Sequence, residues 1–194
     1  MQIFHSLSDP ALVDRLRAGD VGVLATDTLY GLVARVANPE AVERLYALKH
    51  REQKPGTTIA ASIEQLAELG IDKNLLDQLR PYWPAPLSVV LPTGFALEYL
   101  HQGVGTSPFR VVADENVRML LEQTGPLVTS SANQPGEPPA RNLQEARSYF
   151  GDHVDFYVDG GDVGDRPPST IARLDADGLH VLRAGAANIT EGKL

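Results

Sequence analysis

A five-residue apolar run, Val21-Gly22-Val23-Leu24-Ala25, breaks off into Thr26-Asp27-Thr28-Leu29-Tyr30-Gly31-Leu32, and this switch constrains the fold more than any other stretch. A short apolar run bounded by turn residues reads as a buried strand. The hydroxyl-rich segment after it reads as a turn at the strand's carboxyl end. From about Pro39 a helix follows, closing on Lys49-His50-Arg51 with Lys54-Pro55-Gly56 just beyond. Ligands of open α/β sheets gather outside the carboxyl ends of strands. Here one such end carries hydroxyls and the next connection carries three cations, a pairing suited to a polyanion bound beside a small polar molecule.

The rest of the chain repeats the strand-and-helix alternation. Ser8-Asp9-Pro10 starts a helix that places Leu12, Val13 and Leu16 on one face and stops at Gly19. Asn38-Pro39 opens the next, with Val42, Leu45, Tyr46 and Lys49 on the helical period. Ser62-Ile63-Glu64-Gln65 has the pattern of a capping box and its helix ends at Gly70. Further helices are expected over 73–80, around Val117, Leu120 and Leu121 up to Gly125, and after Asn142-Leu143-Gln144-Glu145. Strands are expected over 57–61, 88–91, 109–113, 126–130 and 154–158, with Trp83-Pro84-Ala85-Pro86-Leu87 as a rigid turn. Asp177-Gly178 joins a final hairpin, 170–174 with 179–183. No linker or internal repeat interrupts this. The expected fold is α/β, a mixed sheet with flanking helices in one domain over 1–194.

Composition narrows the class. Hydrophobic residues make up 43% of 194, enough for a core, and no apolar run approaches the roughly 18 residues of a membrane span. Met1-Gln2-Ile3-Phe4-His5 has no basic region ahead of an apolar one, so no signal peptide is expected. Cysteine is absent, which removes disulfides, zinc knuckles and thiol nucleophiles together and fits a cytoplasmic protein. A net charge of −8 disfavours a protein that coats nucleic acid, since such binding scales with phosphates neutralised, while leaving room for a local basic cleft.

Familiar catalytic patterns are missing too. The chain has no P-loop pattern, no nucleophile elbow and no zinc-protease histidine spacing, and Gly160-Gly161-Asp162-Val163-Gly164 lacks the dinucleotide fingerprint's spacing. Four features remain, each with two readings. Lys49, Arg51 and Lys54 suit a helix C-terminus through the macrodipole, or form a phosphate clamp. Thr129-Ser130-Ser131-Ala132-Asn133 caps a turn, or lines a site. Arg110, inside the apolar Phe109-Arg110-Val111-Val112, pairs with an internal carboxylate, or with a bound one. Pro168-Ser169-Thr170 with Arg183 marks edge-strand polarity, or a second wall of the site.

Taken in order, these stretches resemble one family. A-T-D-T-L-Y-G-L from Ala25, K-H-R-x-x-K from Lys49, W-P-A-P-L-S from Trp83, T-S-S-A-N from Thr129, D-G-G from Asp159, P-S-T-I from Pro168 and V-L-R-A-G from Val181 resemble the YrdC/TsaC family, the threonylcarbamoyl-AMP synthases. The resemblance covers nearly the whole chain, about Val21 to Gly185. It implies a twisted sheet with a concave, basic face. The implied activity joins L-threonine, bicarbonate and ATP into threonylcarbamoyl-adenylate with release of pyrophosphate, and the product feeds the t6A modification of tRNA. Implied ATP contacts fall on Lys49, Arg51, Lys54, Thr106, Asn133, Arg141 and Arg183, with Lys49 and Arg51 as the catalytic cations. Implied threonine contacts fall on Thr26, Arg110, Ser131 and Ser169. Mg²⁺ would arrive on the nucleotide, with no protein cage. A weak contact with tRNA is compatible with this reading, and no membrane partner is implied.

The sequence departs from the family pattern at three points. Ala25 stands where a proline is common, Pro55-Gly56-Thr57-Thr58 replaces P-L-I or G-L-I, and Arg183-Ala184-Gly185 replaces R-P-G. Against the family, the chain is expected to be the single-domain form, without the additional C-terminal domain of longer members. Two rivals remain: an RNA-binding or ribosome-maturation factor that uses the same basic face without chemistry, and a paralogue that forms a carbamoyl-adenylate. The net charge and the lack of interleaved aromatics weigh against the first.

Overall fold

The computed structural model describes residues 1–189, and residues 190–194 of the expected domain lie outside it. Ten strands of the described residues share one sheet: β1 (Gln2–Phe4), β2 (Gly22–Ala25), β3 (Tyr30–Arg35), β4 (Thr57–Ala60), β5 (Leu87–Pro92), β6 (Thr106–Val111), β7 (Leu127–Ser131), β8 (Phe156–Val158), β9 (Thr170–Asp175) and β10 (Gly178–Arg183). Their order is β1-β8-β2-β3-β7-β4-β6-β5-β9-β10. Parallel neighbours (β1–β8, β2–β8, β4–β6, β5–β9) mix with antiparallel ones, so the expected mixed α/β sheet is what forms.

Seven α-helices of the described residues flank it: α1 (Pro10–Ala18), α2 (Pro39–Leu48), α3 (Ile63–Glu68), α4 (Lys73–Leu79), α5 (Glu98–His101), α6 (Glu115–Thr124) and α7 (Leu143–Phe150). Most start where the sequence places a capping oxygen. Side chains of Asp9, Asn38, Ser62, Asp114 and Asn142 each accept a backbone N–H of the first turn, which satisfies a donor the helix cannot. At α3 only half of the capping box closes as drawn. Ser62 accepts from Gln65 N, but Gln65 Oε1 accepts from Ala61 N, one residue before the cap.

Several expectations shift. The turn after β2 spans only residues 26–29, and Tyr30 onward is already β3, antiparallel to β2 with Ala25 opposite Tyr30. Tyr-Gly-Leu-Val-Ala-Arg has too few polar positions to signal an alternating strand, because its neighbours on both sides are strands. β1 and the helical turns from Phe95 to His101 are additions to the expected elements. β6 starts at Thr106 and ends at Val111, earlier than the expected 109–113, because pairing with β5 extends it through Pro108. The final hairpin turns on Ala176 and Asp177, since Gly178 already pairs with Asp175. α4 stops at Leu79 and a 3-10 turn, Arg80–Tyr82, follows.

The helices are unequally shared between the two faces. On one face α2, α5 and α7 bury Val42, Leu45, Leu100 and Phe150 against Leu32, Ala34 and Val128. Beside them α3 and α4 cover Val89, Phe109 and Val111. On the opposite face α1 and α6 bring Leu12, Leu16, Val117 and Leu121 onto Leu24, Val33, Ile59 and Leu127. Each such fully buried aliphatic chain contributes roughly 1.5–3 kcal/mol. This second roof covers only part of its face. What it leaves uncovered is the site.

Candidate functional site

Strand register locates the uncovered patch. Leu127, Thr129 and Ser131 of β7 share one face with Arg35, Val33 and Gly31 of β3, and with Ile59 and Thr57 of β4, while Arg110 of β6 lies beside Ile59. At the end under α1 and α6 this face is Leu127, Val33 and Ile59. At the other end it becomes Gly31, Thr57, Thr129, Ser131 and Pro108, residues too small or too polar to seat a helix. A cleft of about 240 Å³ opens there, with Thr26, Arg51, Arg110, Ser131, Ser169 and Arg183 in its lining.

Two glycines bring these walls together. A Cβ on Gly31 would fall 2.3 Å from Thr129 Oγ1, so only glycine lets β3 pass this close to β7. A Cβ on Gly185 would fall 2.2 Å from Pro168 O and 2.5 Å from Ser169 C. With glycine there, Ala186 N donates to Pro168 O at 2.8 Å and Arg183 Nη2 donates to Ser169 O at 2.7 Å. Ser88 Oγ donates to Ser169 Oγ at 3.0 Å and fixes that hydroxyl from below.

The basic connection is shaped by the end of α2. His50 adopts φ +48, His50 N donates to Ala47 O and Arg51 N to Tyr46 O, which is the double bond of a Schellman cap with histidine where glycine is usual. Such a residue holds about 1 kcal/mol or more of backbone strain. The reversal carries Arg51 to the cleft, where its Nη1 donates to Lys54 O (2.9 Å) and Pro55 O (3.1 Å). Three guanidiniums therefore share one cleft, and among the described residues no carboxylate joins them in its lining. Burial pushes the pKa of Arg51, Arg110 and Arg183 down, and Arg183 adds repulsion on the other two.

A family model fits this chain over residues 14–185: the Sua5/YciO/YrdC domain, described as telomere recombination. The chain belongs to that family. Among relatives, the threonylcarbamoyl-AMP synthase of Marinobacter nauticus is 36% identical over 160 residues, 79% of this chain and 84% of the relative. That of Photobacterium profundum is 33% identical over 181 residues, 90% and 97% of the two chains. The structure of P. abyssi Sua5 complexed with L-threonine superposes with a TM-score of 0.84 at 26% identity and covers 95% of this chain; this chain spans 58% of that one. E. coli YciO shares the fold, with a TM-score of 0.80 at 22% identity over 96% of each chain.

Within this Sua5/YciO/YrdC domain the expected residues fall into two groups. Thr26, Arg110, Ser131 and Ser169, the four expected threonine contacts, converge on the cleft, as do Arg51 and Arg183 of the expected ATP contacts. The other five do not line it. Arg141 lies in an adjoining cleft of about 680 Å³ that shares Leu29, Pro139 and Pro168 with the first, and it is paired with Glu145 at 2.7 Å. Thr106 begins β6 opposite Pro92. Lys54 is exposed on the loop, its backbone N–H held by Gln102 Oε1 at 3.0 Å. Asn133 and Lys49 face each other. Lys49 is only 5% exposed, and its Nζ donates to Ser131 O (2.9 Å), to Asn133 Oδ1 (2.8 Å) and to Asn133 O. As the structure stands, Lys49 fastens the Ser131–Asn133 turn to the end of α2.

Sequence reasoning gave no contact to Thr28 and Thr57 in the lining, or to Asp27 behind it, and left Thr129 and Ser130 between capping a turn and lining a site. The signal for the hydroxyls was present in the Thr-rich ends of β2, β4 and β7. Asp27 gave none, because its partner is remote in sequence: Oδ1 lies 2.9 Å from Arg110 Nη2. The internal carboxylate considered for Arg110 is thus real, and the arginine reaches the cleft as well. Burial pushes the Asp27 carboxyl up, against the pull of Arg110.

Lys49 carries a pH signature. Burial, with Arg51 nearby, lowers its pKa from 10.5 to about 8. The unfolded chain then binds this proton more tightly than the folded one, so the buried ammonium opposes folding below pH 8 and the opposition fades as pH rises towards 10.5. Urea midpoints of the parent protein minus those of Lys49→Met should therefore increase between pH 8 and 10.5. A flat difference would show that Lys49 keeps its ordinary affinity for the proton.

Proposed function

We propose that this chain is a threonylcarbamoyl-AMP synthase. One observation carries the reading: three guanidiniums and a cluster of hydroxyls share a cleft without a carboxylate in its described lining, in a protein of net charge −8. Such a cleft suits an amino acid beside a polyphosphate, and the relatives named above supply the reaction. In this reading Arg110 takes the threonine carboxylate, while Thr26, Ser131 and Ser169 read its polar groups. Arg51 and Arg183 offset charge on the triphosphate, and the adjoining cleft with Arg141 continues the nucleotide path.

The threonine amine takes up CO₂, supplied as bicarbonate, and releases a proton to give a carbamate. A carbamate oxygen then forms a bond to the α-phosphorus of ATP, the bond from that phosphorus to the bridging oxygen breaks, and pyrophosphate leaves with the electron pair. No described lining residue is a general base, so catalysis rests on orientation and on charge, each able to supply several kcal/mol. With no carboxylate in that lining, Mg²⁺ would enter on the phosphates and screen them. The adenylate would pass to the machinery that modifies tRNA. We take residues 1–194 as one domain and the protein as cytoplasmic; no described helix is long and apolar enough to cross a membrane.

The test incubates the protein with ATP, bicarbonate and each amino acid, and identifies any adenylate by mass. L-Threonine should give threonylcarbamoyl-adenylate and pyrophosphate. L-Valine, its isostere without the hydroxyl, should be at least about 100-fold poorer, since a site built for a hydroxyl leaves polar groups unpaired without one. Thermal shifts run in parallel, where ATP with threonine should raise the melting temperature and duplex RNA should not. Stabilisation by RNA alone, with no adenylate from any amino acid, would replace the synthase by a binding module.

A further inference from the structure

Asp27 is buried between two residues that line the cleft, Thr26 and Thr28, yet it is not in the lining itself. Its side chain is 4% exposed and that of its partner Arg110 is 3% exposed. The pair is close, Oδ1 to Nη2 at 2.9 Å, but it is an ion-pair contact without hydrogen-bond geometry, and Arg110 Nε and both Asp27 carboxylate oxygens are buried with no hydrogen-bond partner among the described residues. This is an odd way to stabilise a fold. A buried ion pair seldom outperforms an apolar pair of the same volume, and an orphaned buried donor adds its own desolvation cost. The neighbours of Arg110 in β6, Pro108, Phe109 and Val111, are apolar, so an aliphatic pair in place of Asp27 and Arg110 would suit the fold as well. An incompletely satisfied buried pair beside a cleft is better explained by a third group that completes it when a ligand is bound.

We propose that Asp27 is a positioning residue: it grips Arg110 by one terminal nitrogen and thereby aims the remaining donors of the guanidinium at the carboxylate of the amino-acid substrate. The inference rests on the synthase reading of the cleft. Three alternatives fit less well. Asp27 is no general base, because it is absent from the lining and its charge is engaged by Arg110. It is no metal ligand, since among the described residues the only grouping with suitable ligand spacing is Asp175, Asp177 and His180, on the hairpin of β9 and β10. Nor is it a mere counter-charge, which any acid within the cleft could provide. The local backbone also supports a fixed aim. Thr26 N donates to Leu29 O, Thr26 Oγ1 donates to Leu29 O at 2.9 Å, and Thr28 N donates to Thr26 Oγ1 at 3.2 Å, so the turn that carries Asp27 is closed on itself.

The test is a cycle that removes the two carboxylate partners of Arg110 separately. Dissociation constants of L-threonine and of L-threoninol, in which an alcohol replaces the carboxylate, are measured by calorimetry for the parent protein and for Asp27→Asn. The parent should prefer threonine by about 30-fold or more, the scale of a charge-assisted fork. In Asp27→Asn that preference should shrink to about threefold, because threonine weakens while threoninol hardly changes. Asp27→Glu, which keeps the charge but displaces it by a methylene, should fall between the two. Equal weakening of both ligands would mean a structural pair and overturn the proposal. So would failure of both variants to fold at 20 °C, since the pair would then be needed for the fold itself. A parent protein that binds no threonine would instead sink the synthase reading, and this inference with it.

Discussion

Arg51→Ala should lose pyrophosphate release by at least about 100-fold while melting close to the parent protein. The side chain lines the cleft, and its hydrogen-bond partners among the described residues are two carbonyls of its own loop, Lys54 O and Pro55 O. Those carbonyls lie at the surface or near it, so water can replace the missing donor at little cost to folding. In the transition state the same guanidinium would meet charge that grows on the departing pyrophosphate. Removing two charge-assisted hydrogen bonds at that point costs roughly 3–6 kcal/mol, which is 100-fold or more in rate. Arg51→Lys should recover only part of this, because a point charge cannot repeat the fork. Steady-state pyrophosphate release and a melting curve on the same preparation decide the matter. A rate near that of the parent, or a loss that tracks unfolding, would remove Arg51 from the chemistry.

The comparison with Lys49 sharpens that prediction. The sequence presents Lys49, Arg51 and Lys54 as one basic triad, equal candidates for phosphate. In the structure they divide. The left-handed turn at His50 sends Arg51 to the cleft, Lys49 inward onto Asn133, and Lys54 to the surface. Sequence spacing could show that three cations follow α2, but not that one of them would be consumed in holding the Ser131–Asn133 turn. Loss of Lys49 should therefore disturb stability and both substrates together, unlike loss of Arg51.

Other features were legible for local reasons. Helix starts at Asp9, Asn38, Ser62 and Asn142 could be read because a capping side chain acts on an N–H two or three residues away. The final hairpin could be read because Gly178, at φ +128, takes a conformation that other residues rarely adopt. What stayed hidden depends on distant pairing. Strand order places β7 between β3 and β4, and that alone aligns Gly31, Thr129 and Thr57 as a polar floor. β3 was hidden for a related reason, since a strand flanked by strands and covered by helices shows no alternation. The family resemblance pointed to candidate residues that spacing could not. Even so, it gave Arg110 one role where the structure shows two engagements, Asp27 and the cleft.

Those two engagements set the largest expected effect on substrate affinity. Arg110→Lys should raise the threonine KM by about 100-fold and leave the ATP KM within about threefold. Lysine can still reach Asp27 with a single ammonium, so the buried carboxylate keeps a partner and the variant should fold. What it cannot do is hold Asp27 with one nitrogen and present a planar pair of donors to a second carboxylate. The missing fork is worth about 2–3 kcal/mol, and each 1.4 kcal/mol is tenfold in affinity. In the proposed reading the nucleotide is held by Arg51 and Arg183 and by the adjoining cleft, and would not depend on this geometry. Initial rates over both substrates separate the two constants. If the threonine and ATP constants rise together, Arg110 shapes the cleft as a whole and the carboxylate must be sought elsewhere. If neither rises, one positive charge suffices, and the fork that Asp27 holds in place has no part in recognition.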